Sequence, residues 1–98
     1  MIGWSVLMQS AHSNWIPMVQ WLLEHGANPN LQMPSTGWTA MHSAAKETNE
    51  EVLKMLMDKG GNKILKAKHK ELGANLLVED CTADQKILDL LLKYPQNE

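Results

Sequence analysis

Residues 37–62 read Gly37-Trp38-Thr39-Ala40-Met41-His42-Ser43-Ala44-Ala45-Lys46-Glu47-Thr48-Asn49-Glu50-Glu51-Val52-Leu53-Lys54-Met55-Leu56-Met57-Asp58-Lys59-Gly60-Gly61-Asn62. Residues 3–28 carry the same pattern 34 positions earlier. Gly3/Gly37, Trp4/Trp38, Ala11/Ala45, Leu22/Leu56, Gly26/Gly60 and Asn28/Asn62 are identical, and Ser5/Thr39, Leu7/Met41, Ser10/Ala44, Val19/Leu53, Leu23/Met57 and Glu24/Asp58 are conservative. Self-similarity at a fixed period of this size marks a supersecondary unit stacked on copies of itself. A shift of 35 from the second copy reaches a third, in which Val52, Leu53, Met55, Leu56 and Met57 map to Ile87, Leu88, Leu90, Leu91 and Leu92. Only the apolar pattern survives there.

Each unit reads as two short helices. Thr39 is the expected N-cap of the first helix in the second unit, with Met41, Ala44 and Ala45 on one face. Thr48-Asn49-Glu50-Glu51 has the form of a capping box opening the next helix. Leu22, Leu23, Val52, Leu53, Leu56 and Met57 are the expected shared core, while Lys54 and Asp58 point outward. Gly60-Gly61 ends that helix, because glycine is least strained in the left-handed position that follows a helix. In the first unit Ser5 starts a helix, Pro17 sits in the first turn of the next, and His25-Gly26 closes it. Thr82-Ala83-Asp84-Gln85 resembles a further capping box. Val and Ile are few, so Leu31–Gly37 and Ile64–Leu72 are expected to be turns or loops rather than strands.

Composition narrows the function classes. The chain has 98 residues, 44 % apolar and 20 % charged, with net charge −2: a soluble globular domain with a thin core. All nine basic residues are lysines, which disfavours nucleic acid, where arginine contacts usually dominate. The single cysteine, Cys81, rules out an intrachain disulfide framework. No apolar run approaches the ~20 residues of a membrane span, and the N-terminus lacks a signal peptide's pattern. An intracellular, soluble location, cytoplasm or nucleus, is expected.

The stretch Gly37 to Ala45 followed by Val52 to Asn62 resembles an ankyrin repeat, as do Gly3 to Leu7, Ala11, Val19 and Leu22 to Asn30. The resemblance departs from the family pattern in places. Val6 and Ala40 stand where the family has Pro after Thr, and Asn14 and Thr48 where it has Gly between the helices. In the third unit Glu79-Asp80 replaces the small Ala-Ala pair, which implies a C-terminal cap with a polar outer side. The implied fold is an all-α repeat stack in one domain spanning residues 1–98, with units at about 1–33, 34–66 and a degenerate capping unit at 67–98.

The histidines and acidic groups assemble no catalytic or metal motif: no His-x-x-x-His, no Cys-x-x-Cys and no phosphate loop is present. The resemblance gives His42 a structural role, hydrogen-bonding one repeat to its neighbour. His25 suits a helix C-terminus. No cofactor and no enzymatic activity are expected. Lys63, Lys66, Lys68 and Lys70, beside His69, read either as a solvated loop or as a docking patch for an acidic or phosphate-bearing partner. A nucleic-acid adaptor role for this loop would demand strongly salt-dependent binding.

The resemblance implies a module that binds a protein or peptide partner through a concave surface. By position match, the contact residues are Trp4, His12 and Ser13 in the first unit and Ser35, Thr36, Trp38, Lys46 and Glu47 in the second. For Trp4 and Trp38 a scaffold role competes with partner contact. The alternative is a structural segment of a longer array with no ligand of its own. Finally, residues 1–23 hold no charged side chain apart from a protonated His12, while Met8, Trp15, Ile16, Met18 and Trp21 crowd the same stretch. That end is expected to expose apolar surface and to offer a face for self-association.

Overall fold

The computed structural model describes residues 6–69 and 73–94. Two helix pairs follow one plan. In the first, α1 (Val6–His12) turns into α2 (Ile16–Glu24); in the second, α3 (Ala40–Lys46) turns into α4 (Glu50–Asp58). The links repeat down to single hydrogen bonds. Trp15 N–H donates to the Ser10 carbonyl at 2.9 Å, and Asn49 N–H, 34 residues on, to the Ala44 carbonyl at 2.8 Å. Ala27 N–H to Leu22 and Gly61 N–H to Leu56 are both 2.9 Å, past Gly26 and Gly60 at φ 92° and 91°.

The link also corrects one expectation. Asn14 and Thr48 have φ of 57° and 54°, so both occupy the left-handed region at the position where a glycine is the family pattern. Thr48 is therefore no cap: its hydroxyl donates to the Glu47 carbonyl at 2.6 Å. Asn49 is the N-cap residue of α4, and its side chain makes no cap hydrogen bond. Its amide instead reaches the first pair, donating to the Ala11 carbonyl at 2.6 Å and that of His12 at 3.3 Å. Thr39 does cap α3 as expected. Its Oγ1 accepts from His42 N–H, and the His42 ring accepts from Thr39 N–H. Ser5, the expected start of α1, lies outside the described residues.

Beyond α4 the chain departs from the expected loop. β1 (Ala67–His69) and β2 (Gly73–Leu76) pair antiparallel, Ala67 opposite Leu76 and His69 opposite Gly73, with an irregularity between. Neighbouring elements hold this hairpin: Lys68 N–H donates to the Thr36 carbonyl at 2.9 Å, and the His42 ring meets the Leu76 carbonyl at 3.0 Å. A 3-10 turn (Val78–Cys81) and α5 (Gln85–Leu92) complete the described chain. Asp84, not Thr82, caps α5, accepting from the N–H groups of Lys86 and Ile87 at 2.8 and 3.3 Å. Thr82 Oγ1 stands one step outside and accepts from Asp84 N–H.

Packing centres on the second pair. α3 lies between α1 and the 3-10 turn, and α4 between α2 and α5. All of α3 from Ala40 to Ala45 is buried, and the two small alanines at 44 and 45 let the helices on either side approach. Leu23, Val52, Leu53, Leu56 and Met57 are buried as their spacing predicts, Leu22 is half-buried, and Lys54 and Asp58 face outward. Polar ties cross between units as well: Asn62 N–H donates to Asn30 Oδ1 at 2.6 Å, while Asn30 Nδ2 donates to the Gly60 carbonyl.

Candidate functional site

Three of the expected contact residues meet. α1 ends at His12 and α3 at Lys46, and the packing of these two helices sets their ends side by side. Glu47 follows α3 as its C-cap, with its carboxylate 3.7 Å from His12 Nδ1 and 3.5 Å from Lys46 Nζ. His12 and Lys46 are exposed and Glu47 is half-buried; Ser13, next along the chain, is exposed. This is a polar rim of both charge signs on a rigid helical base. Long side chains on such a base can form charge-assisted hydrogen bonds with a partner.

Ser35 and Thr36 lie at the opposite end of α3, on the turn that precedes it. Ser35 is exposed. Thr36 is half-buried and already engaged, its hydroxyl accepting from Trp38 N–H at 3.2 Å and its carbonyl from Lys68. Thr36, Lys66, Ala67, Lys68 and Asn75 line a shallow depression of about 160 Å³. Trp4 lies outside the described residues.

Trp38, for which contact and scaffold roles compete, is mostly buried. It is 6 % exposed; its indole N–H donates to Ser43 Oγ at 2.7 Å, and its ring lies 5.0 Å from that of His42. The hydroxyl that satisfies the indole sits on α3 itself, five residues on, so the ring folds down onto the helix it precedes. Trp38 is scaffold.

His42 ties the units together, as its position predicts. Its Nδ1 accepts from Thr39 N–H at 3.2 Å and lies 2.7 Å from Thr39 Oγ1, which leaves Nε2 to donate to the Leu76 carbonyl. Burial pushes the ring below its usual pKa of 6.5, against the opposing pull of the backbone carbonyls and of Asp80. His25 likewise serves the scaffold, with Nδ1 2.8 Å from the Trp21 carbonyl and its ring stacked on that indole at 3.9 Å.

The lysine run divides. Lys63 Nζ donates to the Leu91 carbonyl at 2.5 Å, at the C-terminal end of α5, where a cation complements the helix dipole. Lys66 and Lys68 are exposed beside the Thr36 depression, and Lys70 lies outside the described residues. Cys81 is buried, and burial followed by the nearby Asp80 pushes its thiol up to about 11. Such a thiol is a poor nucleophile at neutral pH. Among the described residues no group of three His, Cys, Asp or Glu is placed to hold a metal ion, and no helix is long and apolar enough to cross a membrane.

Two hollows flank α2, neither lined by residues expected to contact a partner. Ile16, Gln20, Leu23 and Glu24 of α2 face Glu51, Met55 and Asp58 of α4 across a cleft of about 290 Å³. Trp15, Pro17, Met18 and Trp21 line a second of about 340 Å³ on the other side of α2. The apolar crowding of residues 15–21 is the signal for the latter.

Comparison with known proteins agrees with this architecture. Residues 7–57, more than half of the chain, match the family described as ankyrin repeats (many copies). The human 2-5A-dependent ribonuclease is 33 % identical over 64 residues, 65 % of this chain and 9 % of that protein. The rat ankyrin repeat and SAM domain-containing protein 6 is 33 % identical over 89 residues, 91 % of this chain and 10 % of the relative. The crystal structure of the ankyrin repeat domain of Bcl-3, described as a unique member of the IkappaB protein family, superposes with a TM-score of 0.81 at 33 % identity, covering 92 % of this chain and 37 % of that one. The chain thus spans about a tenth of the length of the curated relatives it matches. With its two helix pairs in one register and its stacked helical architecture, the chain belongs to the ankyrin repeat family.

Proposed function

We propose that this chain is a non-enzymatic recognition module that binds a protein partner across the rim formed by His12, Ser13, Lys46 and Glu47, extending toward Ser35 and Thr36. Ankyrin repeats are in general protein–protein interaction modules. The observation that carries the assignment to this rim is the convergence of His12, Lys46 and Glu47 on adjacent helix ends. Their backbone is held in packed helices, so only the side chains themselves must be ordered on binding. The segment at residues 67–98, with Glu79 and Asp80 exposed on its 3-10 turn, acts in this reading as a polar-sided cap on the two regular units.

Paired substitution tests it. With a captured partner in hand, His12→Ala combined with Lys46→Ala weakens binding by ~1–3 kcal/mol in a titration, with the fold intact. Lys54→Ala, on the outer side of α4, leaves affinity unchanged. Equal weakening by Lys54→Ala places the contact elsewhere. A second reading, a segment that stacks within a longer array and holds no ligand of its own, draws on the small share of the relatives' length that the chain covers. In that case neither substitution alters any captured interaction.

A further inference from the structure

The repeat register assigns a role to the open hollow on α2. Where the second helix pair meets the first, α4 presents Glu51 and Met55 to α2, and Asn49 reaches across to the carbonyls of Ala11 and His12. Moved back by 34 residues, Asn49, Glu51, Val52 and Met55 become Trp15, Pro17, Met18 and Trp21. These four line the open hollow. Among the described residues they form the half of an inter-unit joint on the side of α2 away from α4. The apolar exposure follows the same rule: Trp15 and Trp21 are each 54 % exposed, and Val6, the counterpart of the buried Ala40, is 50 % exposed.

We propose that this face, Val6 with Trp15, Pro17, Met18 and Trp21, joins two copies of the chain in a symmetric dimer. Charge selects the occupant. From Val6 to Leu23 there is no Lys, Asp or Glu, so apposing the face with itself brings no fixed like charges together. The opposite end of the stack is unsuitable as its mate. Leu92, in register with Met57 and Leu23, is exposed there, but Glu79, Asp80 and Asp89 are exposed on the same C-terminal elements. Head-to-tail stacking would press these carboxylates toward a face that has no cation to receive them. It would also propagate into an open filament rather than close.

Size sets the strength. Two half-exposed indoles with their apolar neighbours offer on the order of 400 Å² per copy. That is about half of the ~800 Å² per partner in a standard stable interface. The dimer is therefore weak and reversible.

Sedimentation equilibrium of the 98-residue chain from about 10 µM to 1 mM tests this. The expected result is a monomer–dimer equilibrium, with tryptophan emission shifting to shorter wavelength as the dimer forms. Trp21→Glu, which places two carboxylates near the two-fold axis, weakens association at least tenfold while far-UV dichroism stays native. Trp15→Glu is the second variant should the first misfold. Leu92→Glu leaves association unchanged. A monomer at every concentration overturns the proposal, as does growth beyond the dimer or an equal loss in Leu92→Glu.

Discussion

The two helix pairs share a backbone plan but not an environment. The α3–α4 pair has neighbours on both sides: Asn49 ties it to the first pair, and His42 ties it to β2. The α1–α2 pair exposes Trp15 and Trp21 on the side away from α4, and Met8 stands where His42 stands. A methionine has no N–H to donate, so that pair lacks an imidazole bridge. In a linear stack, stability is the sum of each unit's own terms and the contacts with its neighbours. The twice-flanked pair should therefore be the more stable.

The largest expected effect lies in the flanked pair. Leu56→Ala, at a site with no exposure, costs about 2–5 kcal/mol in urea unfolding. Leu22→Ala, its half-buried counterpart, costs roughly 1–2 kcal/mol because less area is lost from contact. Equal losses would show that the stack melts as one unit with no weak end.

His42 sharpens the comparison through pH. Its folded-state pKa lies below 6.5, so the unfolded chain takes up the proton first on acidification. The stability held by the neutral ring is present in full above pH 6.5, falls as the pH drops through that value, and levels off once the folded-state value is passed. His42→Gln removes the bridge to Leu76 at a cost of about 1–3 kcal/mol at pH 7.5. Thermal melts between pH 7.5 and 5 should be flatter for the variant than for the wild-type chain, and parallel curves would relocate the acid sensitivity to another group.

The smallest effect belongs to the side of α2 away from α4. Trp21→Ala removes a half-exposed ring that stacks on the exposed His25 at the same helix end, so the monomer loses about 1 kcal/mol or less. A loss as large as that of Leu56→Ala would mean that the first pair's outer face is a finished surface.

Much of this was legible from residue spacing alone. The repeat, the core stripe on α4 and the Thr39 cap follow from local pattern, the bridging role of His42 follows from the family resemblance, and all hold in the structure. What escaped depends on neighbours distant in sequence or on backbone dihedrals. The β1–β2 hairpin has few β-branched residues, and its hydrogen bonds to Thr36 and His42 come from a segment more than 30 residues away. Trp38 carries the same side chain whether it faces a partner or a core; only the Ser43 hydroxyl under its indole decides. The Thr48 and Thr82 caps matched a four-residue pattern, but each true N-cap lies further on, because Thr48 is left-handed and Thr82 caps Asp84 instead. At the candidate site, sequence position singled out His12, Lys46 and Glu47 without showing that they meet, and could not say that Thr36 spends its polar groups inside the turn.

The left-handed residue in each helix link marks where backbone strain is held. Asn14 and Thr48 hold the same dihedral, yet they differ in how readily a side chain accepts it: asparagine visits that region with modest strain, and a β-branched threonine does not. Thr48 therefore keeps part of the second pair's stability unrealised, at the joint where its surroundings are firmest. Glycine, which meets no steric penalty there, would release that strain at the second link far more than at the first, so the two joints differ in how much rigidity they have left to gain.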